Sequence, residues 1–233
     1  MSKKDTIRNL FNNIAPSYDK LNHLLSMGID RTWRRKAVRL LKEPQAPMNY
    51  LDIACGTGDF TFDIAKKAAP GSKITGADIS EGMMEVARAK AEKKGWSELT
   101  RFMYADCENL PFEDQTFDRI SVGFGVRNFE NREKGLQEVC RVMKDKGMFV
   151  ILELSIPQNK CLRALYNFYF YKILPTIGGL ISKNKGAYLY LPDSVGKFPK
   201  PQDFKVILEN CGFSQVNVRS LTCGICHMYV CKK

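Results

Sequence analysis

Residues 49–60 read NYLDIACGTGDF. A short apolar strand carries a carboxylate at Asp52, Gly56 and Gly58 flank Thr57, and Asp59 opens a helical pattern. Glycines let the backbone turn tightly and approach a ligand, and the unpaired N–H groups of the following helix favour an anionic or strongly polar group. Such a turn serves a dinucleotide, another nucleotide cofactor, or packing alone. A dinucleotide fingerprint continues to a third glycine where helix and strand pack closely, but here Thr61 stands at that position behind Phe60.

Further acids narrow the choice. Asp78 ends the second apolar run and Asp106 the third, so with Asp52 and Asp59 a set of carboxylates is expected along one edge of a sheet. That edge would repel a pyrophosphate. It suits a cationic sulfonium with an α-ammonium group and a ribose diol, which favours S-adenosylmethionine. Asp78, 20 residues past Gly58, is placed to accept hydrogen bonds from ribose hydroxyls, as an acid does in NAD sites. Asp106, with the backbone of Cys107, is placed to face the adenine amino group.

The elements that must position these residues alternate. KITGAD (73–78), RFMYAD (101–106), FDRISVGF (117–124) and MFVILEL (148–154) read as buried strands. Between them, helical spacing puts Met83, Met84, Ala87 and Ala91 on one face, and Leu136, Val139, Cys140 and Met143 on another. This alternation predicts a doubly wound, mostly parallel α/β sheet in one domain over 1–233. A helical arm (1–45) precedes the cofactor-binding core (46–154). A substrate-side insertion (155–200) and a helix-strand-strand tail (201–233) follow it. In such folds the ligand lies at the carboxyl ends of the strands, where arm and insertion can close over it.

At 233 residues and 44% hydrophobic content the chain can bury a sizeable core. No apolar h-region opens it and no window is apolar enough to span a bilayer, so a cytoplasmic protein is expected. The net charge of +11 is uneven. Residues 1–45 hold ten Lys/Arg against four Asp/Glu and residues 155–200 seven against one, whereas 46–154 carry a net −3. Basic flanks rich in aromatics fit nucleic acid or an anionic membrane surface. No recognisable RNA-binding module accompanies them, and nucleic acid is not the expected partner. The eight cysteines read as reduced. Cys223-Gly224-Ile225-Cys226-His227 has haem-attachment spacing and, with Cys231, a zinc-like ligand count. The alternation through Cys231 reads instead as a closing strand, and no metal site is expected.

The chain resembles the class I S-adenosylmethionine-dependent methyltransferases, and within them the quinone C-methyltransferase family acting on demethylmenaquinol and polyprenyl-methoxybenzoquinol. The resemblance rests on FNNIAPSYDKLNHLLSMGIDRTWRR (11–35), LDIACGTGDFT (51–61), ADIS (77–80), ADCENLPFEDQTFD (105–118), FGVRNFEN (124–131), RVMKDKGMFVILELS (141–155) and FYFYKILPTIGGLIS with AYLYLPDSV in the insertion. It implies a Rossmann-like, seven-stranded sheet with a helical insertion after the fifth strand. It assigns Gly56, Thr57, Asp78, Asp106 and Cys107 to the cofactor, and Tyr18, Arg127 and Asn128 to the quinol. Gly123 stands where some relatives have serine, so no side-chain contact is assigned there.

Methyl transfer from a sulfonium has a good leaving group, so the enzyme mainly positions and activates its acceptor. A quinol ring carbon becomes nucleophilic when the adjacent hydroxyl ionises. Bringing a phenol pKa of about 10 to about 7 takes roughly 4 kcal/mol, which one buried cation can supply. Arg127 is the expected cation, against a capping salt bridge with Glu130 or Glu133. Asn128 and Tyr18 are expected to hold hydroxyls. No general base is evident: His23 is a weak candidate beside water relayed to a carboxylate. The apolar stretch 165–180 suits a bilayer surface that admits a prenyl tail, or a dimer or core face. The naphthoquinol is favoured over the benzoquinol because no organellar targeting segment precedes the arm. RNA methylation and a catalytically silent scaffold are the competing readings.

Overall fold

The computed structural model describes residues 2–43, 45–173 and 185–233. Five strands run parallel: β1 (Asn49–Ile53), β2 (Lys73–Asp78), β3 (Thr100–Tyr104), β4 (Phe117–Gly123) and β5 (Met143–Leu154). The tail adds β6 (Gln215–Leu221) and β7 (Cys226–Lys232), with β7 antiparallel between β5 and β6. The sheet order is β3-β2-β1-β4-β5-β7-β6, with β1 and β4 adjacent at its centre. The order reverses there, which opens a crevice at the carboxyl ends.

Alternation along the strands divides the core into two layers. Leu51, Ile53, Ile120, Val122, Phe149 and Ile151 face α5 (Arg132–Val142) and α8 (Pro201–Asn210). Tyr50, Ile74, Val150 and Leu152 face α2 (Ile29–Leu41) and α3 (Asp59–Ala65). Some helix starts are fixed by short polar side chains. Ser80 caps α4 (Glu81–Lys93) by accepting from the Met83 N–H, and Asn131 caps α5 by accepting from that of Lys134. The four α4 residues assigned to one face by spacing are all buried, as are those of α5 and its C-cap.

Residues 1–45 divide in two. α1 (Lys3–Leu25) lies across the carboxyl edge, and Gly28, with φ 73°, turns the chain into α2. Trp33, Ala37, Val38 and Leu41 of α2 are buried against the sheet, so α2 belongs to the core and only α1 is an arm. The insertion begins with α6 (Lys160–Phe168), which continues into one π-helical turn (Tyr169–Ile173), and α7 (Lys185–Gly196) leads back. LPTIGG (174–179) lies outside the described residues. All eight cysteines are free; Cys226 and Cys231 are buried in β7, as a closing strand requires, and Cys223 is exposed. Among the described residues no helix is long and apolar enough to cross a membrane.

Candidate functional site

A cleft opens at the carboxyl ends of β1, β2 and β4 beneath α1. Gly56, Asp78, Asp106, Cys107, Tyr18 and Asn128 line it, so six of the eight predicted site residues come together there. Thr57 and Arg127 lie outside its lining. The backbone is strained at this edge: Ala54 after β1 has φ 51° and Phe124 after β4 has φ 60°, the left-handed region a side chain rarely adopts. The two loops also interlock. A Cβ on Gly125 would lie 2.6 Å from that of Ala54.

Asp78 organises the glycine turn. Its two carboxylate oxygens accept from the Gly56 N–H at 2.8 Å and the Ser80 N–H at 2.8 Å. Burial raises its pKa against the pull of these N–H donors. A Cβ on Gly56 would meet nothing within 4 Å, so the turn faces open space where a ligand can approach. Asp106 lies just beyond β3, bridged to Asn109. It accepts from the Glu108 N–H at 3.0 Å and pairs with Lys4 of the arm at 2.7 Å. Burial pushes its pKa up, but the hydrogen bonds from Lys4 and the Glu108 N–H, with the charges of Lys4 and Lys134, together outweigh this and the carboxyl sits below its ordinary value. Asp78, Asp106, Glu108 and Glu130 thus give the cleft a negative wall, with Lys4 as the opposing charge. This wall fits a sulfonium and an ammonium group and disfavours a pyrophosphate.

Two acids expected on that wall are elsewhere. Asp52 is buried in β1 and accepts from Ser121 Oγ at 2.7 Å and Thr61 Oγ1 at 2.6 Å. Asp59 pairs with Lys90 at 2.8 Å and with Arg34 at 3.3 Å. The side chain of Thr57 is also committed, since its hydroxyl donates to Asp19 of α1 at 2.5 Å. The sequence does not announce these partners, because helix and strand packing brings them together over tens of residues.

Burial pushes Asp52 up to about 6, although Ser121 and Thr61 donate to its charged form. Between about pH 4 and 6 the folded state keeps a proton that the unfolded chain releases, so stability falls as pH rises through this window, by on the order of 3 kcal/mol. Asp52→Asn is expected to flatten that part of a melting-temperature profile and to raise the melting temperature at pH 7.5 by several degrees. An unchanged slope between pH 4 and 6 would rule this out.

On the acceptor side, Arg127 is the middle residue of the 3₁₀ turn (Val126–Asn128) that follows β4, and it is 8% exposed. Its partner is neither Glu130 nor Glu133. Glu153, near the end of β5 and 1% exposed, accepts from Arg127 Nη1 at 2.7 Å and from the Arg127 backbone N–H at 3.1 Å. Arg127 Nη1 also donates to the Phe124 carbonyl. Register explains the pairing: Gly123 at the end of β4 lies opposite Leu152 of β5, so the turn just beyond β4 meets Glu153, the next residue of β5. The guanidinium is therefore half of a buried ion pair, and Nε has no partner among the described residues. Asn128 accepts from the Tyr190 hydroxyl of α7 at 2.8 Å. Tyr18 lines the cleft from α1; burial raises its pKa and Arg127 opposes this. Gly123 lines the cleft through its backbone, and a Cβ there would crowd Phe60 at 3.1 Å.

The arm is fastened along its length. Lys3 donates to the Phe129 carbonyl at 2.6 Å, Lys4 holds Asp106, and Asn12 accepts from Ser80 Oγ at 2.7 Å and the Gly82 N–H at 3.1 Å. Asp19 holds Thr57 and pairs with Lys90 at 2.8 Å. His23 bridges Asp30 at 3.0 Å and Asp59 at 3.1 Å. His23, Asp30 and Asp59 approach one another as metal ligands would, but Arg34 pairs with both acids, so the group is an ion-pair network. His23 thus ties the arm to the core on the side of α3, and it is not a lining residue of the cleft.

Sheet order, glycine turn and acidic cleft together define a class I S-adenosylmethionine-dependent methyltransferase. Solved structures share the fold. A SAM-dependent methyltransferase from Aquifex aeolicus superposes with a TM-score of 0.59 at 20% identity, over 85% of this chain and 88% of that one. A Methanococcus maripaludis protein gives 0.68 at 19%, over 95% and 93%. The model of the ubiE/COQ5 methyltransferase family matches residues 1–233, and the chain belongs to that family. It is 46% identical to the demethylmenaquinone methyltransferase of Bacteroides fragilis, over 99% of this chain and 94% of that one. It is 45% identical to the demethylmenaquinone methyltransferase of Thermus thermophilus, over 95% and 98%. To the ubiquinone/menaquinone biosynthesis C-methyltransferase of Geobacter sulfurreducens it is 43% identical, over 99% and 90%.

Proposed function

We propose that this methyltransferase methylates a ring carbon of demethylmenaquinol, giving menaquinol. The observation that carries the reading is full-length similarity to relatives named for that reaction, joined to a cleft whose acidic wall and apolar wall suit the two reactants. S-adenosylmethionine, when bound, supplies the electrophilic methyl group. Asp78 would hold its ribose, Asp106 and the Cys107 backbone its adenine, and Gly56 its closest backbone approach. Ile7, Phe11, Met83 and Phe124 offer flat apolar contact for an aromatic acceptor. Arg127, Asn128 and Tyr18 would hold the acceptor's oxygens. The pairing with Glu153 fixes the guanidinium and leaves Nε free to stabilise an ionised ring oxygen.

A membrane-dissolved acceptor fits the insertion. Tyr166 and Phe170 pack inward against Ile14, Ala15 and Met83, while Leu165 (66% exposed), Phe168 (58%) and Tyr171 (53%) remain outside. Lys160, Arg163 and Lys172 are exposed on the same elements, and the sequence has no acid between Glu153 and Asp193, so this face suits transient contact with an anionic bilayer at the inner side of a membrane. A homodimer through the same face is the alternative. Vesicles containing demethylmenaquinol, the corresponding benzoquinol or neither, given methyl-labelled cofactor, provide the test. Label is expected in the naphthoquinol, faster from anionic than from neutral vesicles. Label only in the benzoquinol would reassign the acceptor. Label in added RNA with none in lipid would overturn the reading.

A further inference from the structure

Two buried donors beside the cleft have no partner among the described residues: Arg127 Nε and the Tyr166 hydroxyl. Tyr166 is 5% exposed and stacks on Phe170 with ring centroids 4.0 Å apart. A buried hydroxyl left without a hydrogen bond costs about 1–3 kcal/mol, and native interiors rarely keep one without a use. The surroundings say what that use is. Tyr166 belongs to the cluster that contains Met83 and Tyr18, both of which line the cleft. It stands within electrostatic reach of Arg127, as do Tyr18 and Tyr190. Three phenols therefore feel the charge of one guanidinium. Tyr190 is occupied with Asn128, and Tyr18 is hydrogen-bonded to Asn22. Tyr166 is the phenol left over.

We infer that the Tyr166 hydroxyl donates a hydrogen bond to a ring oxygen of the aromatic diol acceptor and, together with Arg127 Nε, favours its ionised form. The inference rests on the acceptor reading above and adds to it a binding residue supplied by the insertion. Burial raises the Tyr166 pKa, so the group stays a donor throughout the neutral range. Tyr166 and Phe170 pack against Ile14 and Ala15 of the arm, so α6 and α1 hold this donor in place together.

Tyr166→Phe tests this, since it keeps the ring and its stacking. The expected melting temperature is unchanged or higher, because an unsatisfied polar group has been removed. The dissociation constant for S-adenosylmethionine is expected to stay within twofold. Acceptor kcat/KM is expected to fall by roughly 10- to 100-fold, as when one donor to a developing oxyanion is lost. The rising limb of the pH–rate profile is expected to move to higher pH, because the acceptor hydroxyl ionises less readily. A kcat/KM within twofold of wild type would overturn the inference. So would a loss of activity with an unmoved limb, which marks a packing role. If the wild-type protein labels no aromatic diol at all, the acceptor reading fails, and the inference falls with it.

Discussion

Arg127→Met is expected to lower methyl transfer by about 1000-fold, the equivalent of the roughly 4 kcal/mol needed to bring a phenol pKa from about 10 to about 7. The same change strands Glu153. A carboxylate that is 1% exposed and held by Arg127 through Nη1 and the backbone N–H keeps only the second contact and that from the Leu154 N–H. Breaking such a pair costs about 3–5 kcal/mol, whereas replacing both partners with neutral groups of similar shape is often tolerated. The double variant Arg127→Met/Glu153→Gln is therefore expected to recover most of the melting temperature lost by the single variant, with turnover still low. Thermal unfolding and single-turnover transfer, measured on the same samples, separate the two effects. If turnover returned along with stability, Arg127 would be a structural residue only.

Asp78→Ala is expected to weaken S-adenosylmethionine binding by at least about 100-fold, corresponding to roughly 2.7 kcal/mol. The carboxylate orders the Gly56 and Ser80 N–H groups in the free protein, so its loss both loosens the glycine turn and removes the acceptor assigned to the ribose. Asp78→Asn retains one acceptor oxygen and is expected to fall between wild type and Asp78→Ala. Calorimetric titration measures the affinity, and an intact circular-dichroism melt shows that the fold survives. Undiminished binding to Asp78→Ala would remove this residue from the cofactor site.

The fold was legible because its evidence is local. Strand runs, helical spacing and the glycine turn are all written within windows of a few residues, and β1 to β5 appeared close to where they were expected. Boundaries were less so: β5 begins at Met143, earlier than its apolar run at 148, because the preceding residues pair in an irregular stretch with β4. The site was legible to the extent that acids and glycines at strand ends must face the crevice. Who neutralises whom was not. Glu130 and Glu133 are near Arg127 in sequence, but register across the sheet selects Glu153, 26 residues away. Asp52 and Asp59 have the residue type that suits the rim and are withdrawn from it by Ser121, Thr61, Lys90 and Arg34. Tyr166 and Tyr190 carried no signal, since an aromatic in an apolar helix looks the same whether or not its hydroxyl is used.

The contact between Ala54 and Gly125 sets how the two reactants can be aligned. The loop after β1, to which the methyl donor is assigned above, and the loop after β4, to which the acceptor is assigned, are wedged together at the centre of the sheet, with no room for even one added methyl group. On that assignment, the separation of the two reactants is set by the scaffold at this contact. The contacts of Lys3, Lys4, Asn12 and Asp19 lie at the rim of the cleft and leave this central wedge untouched.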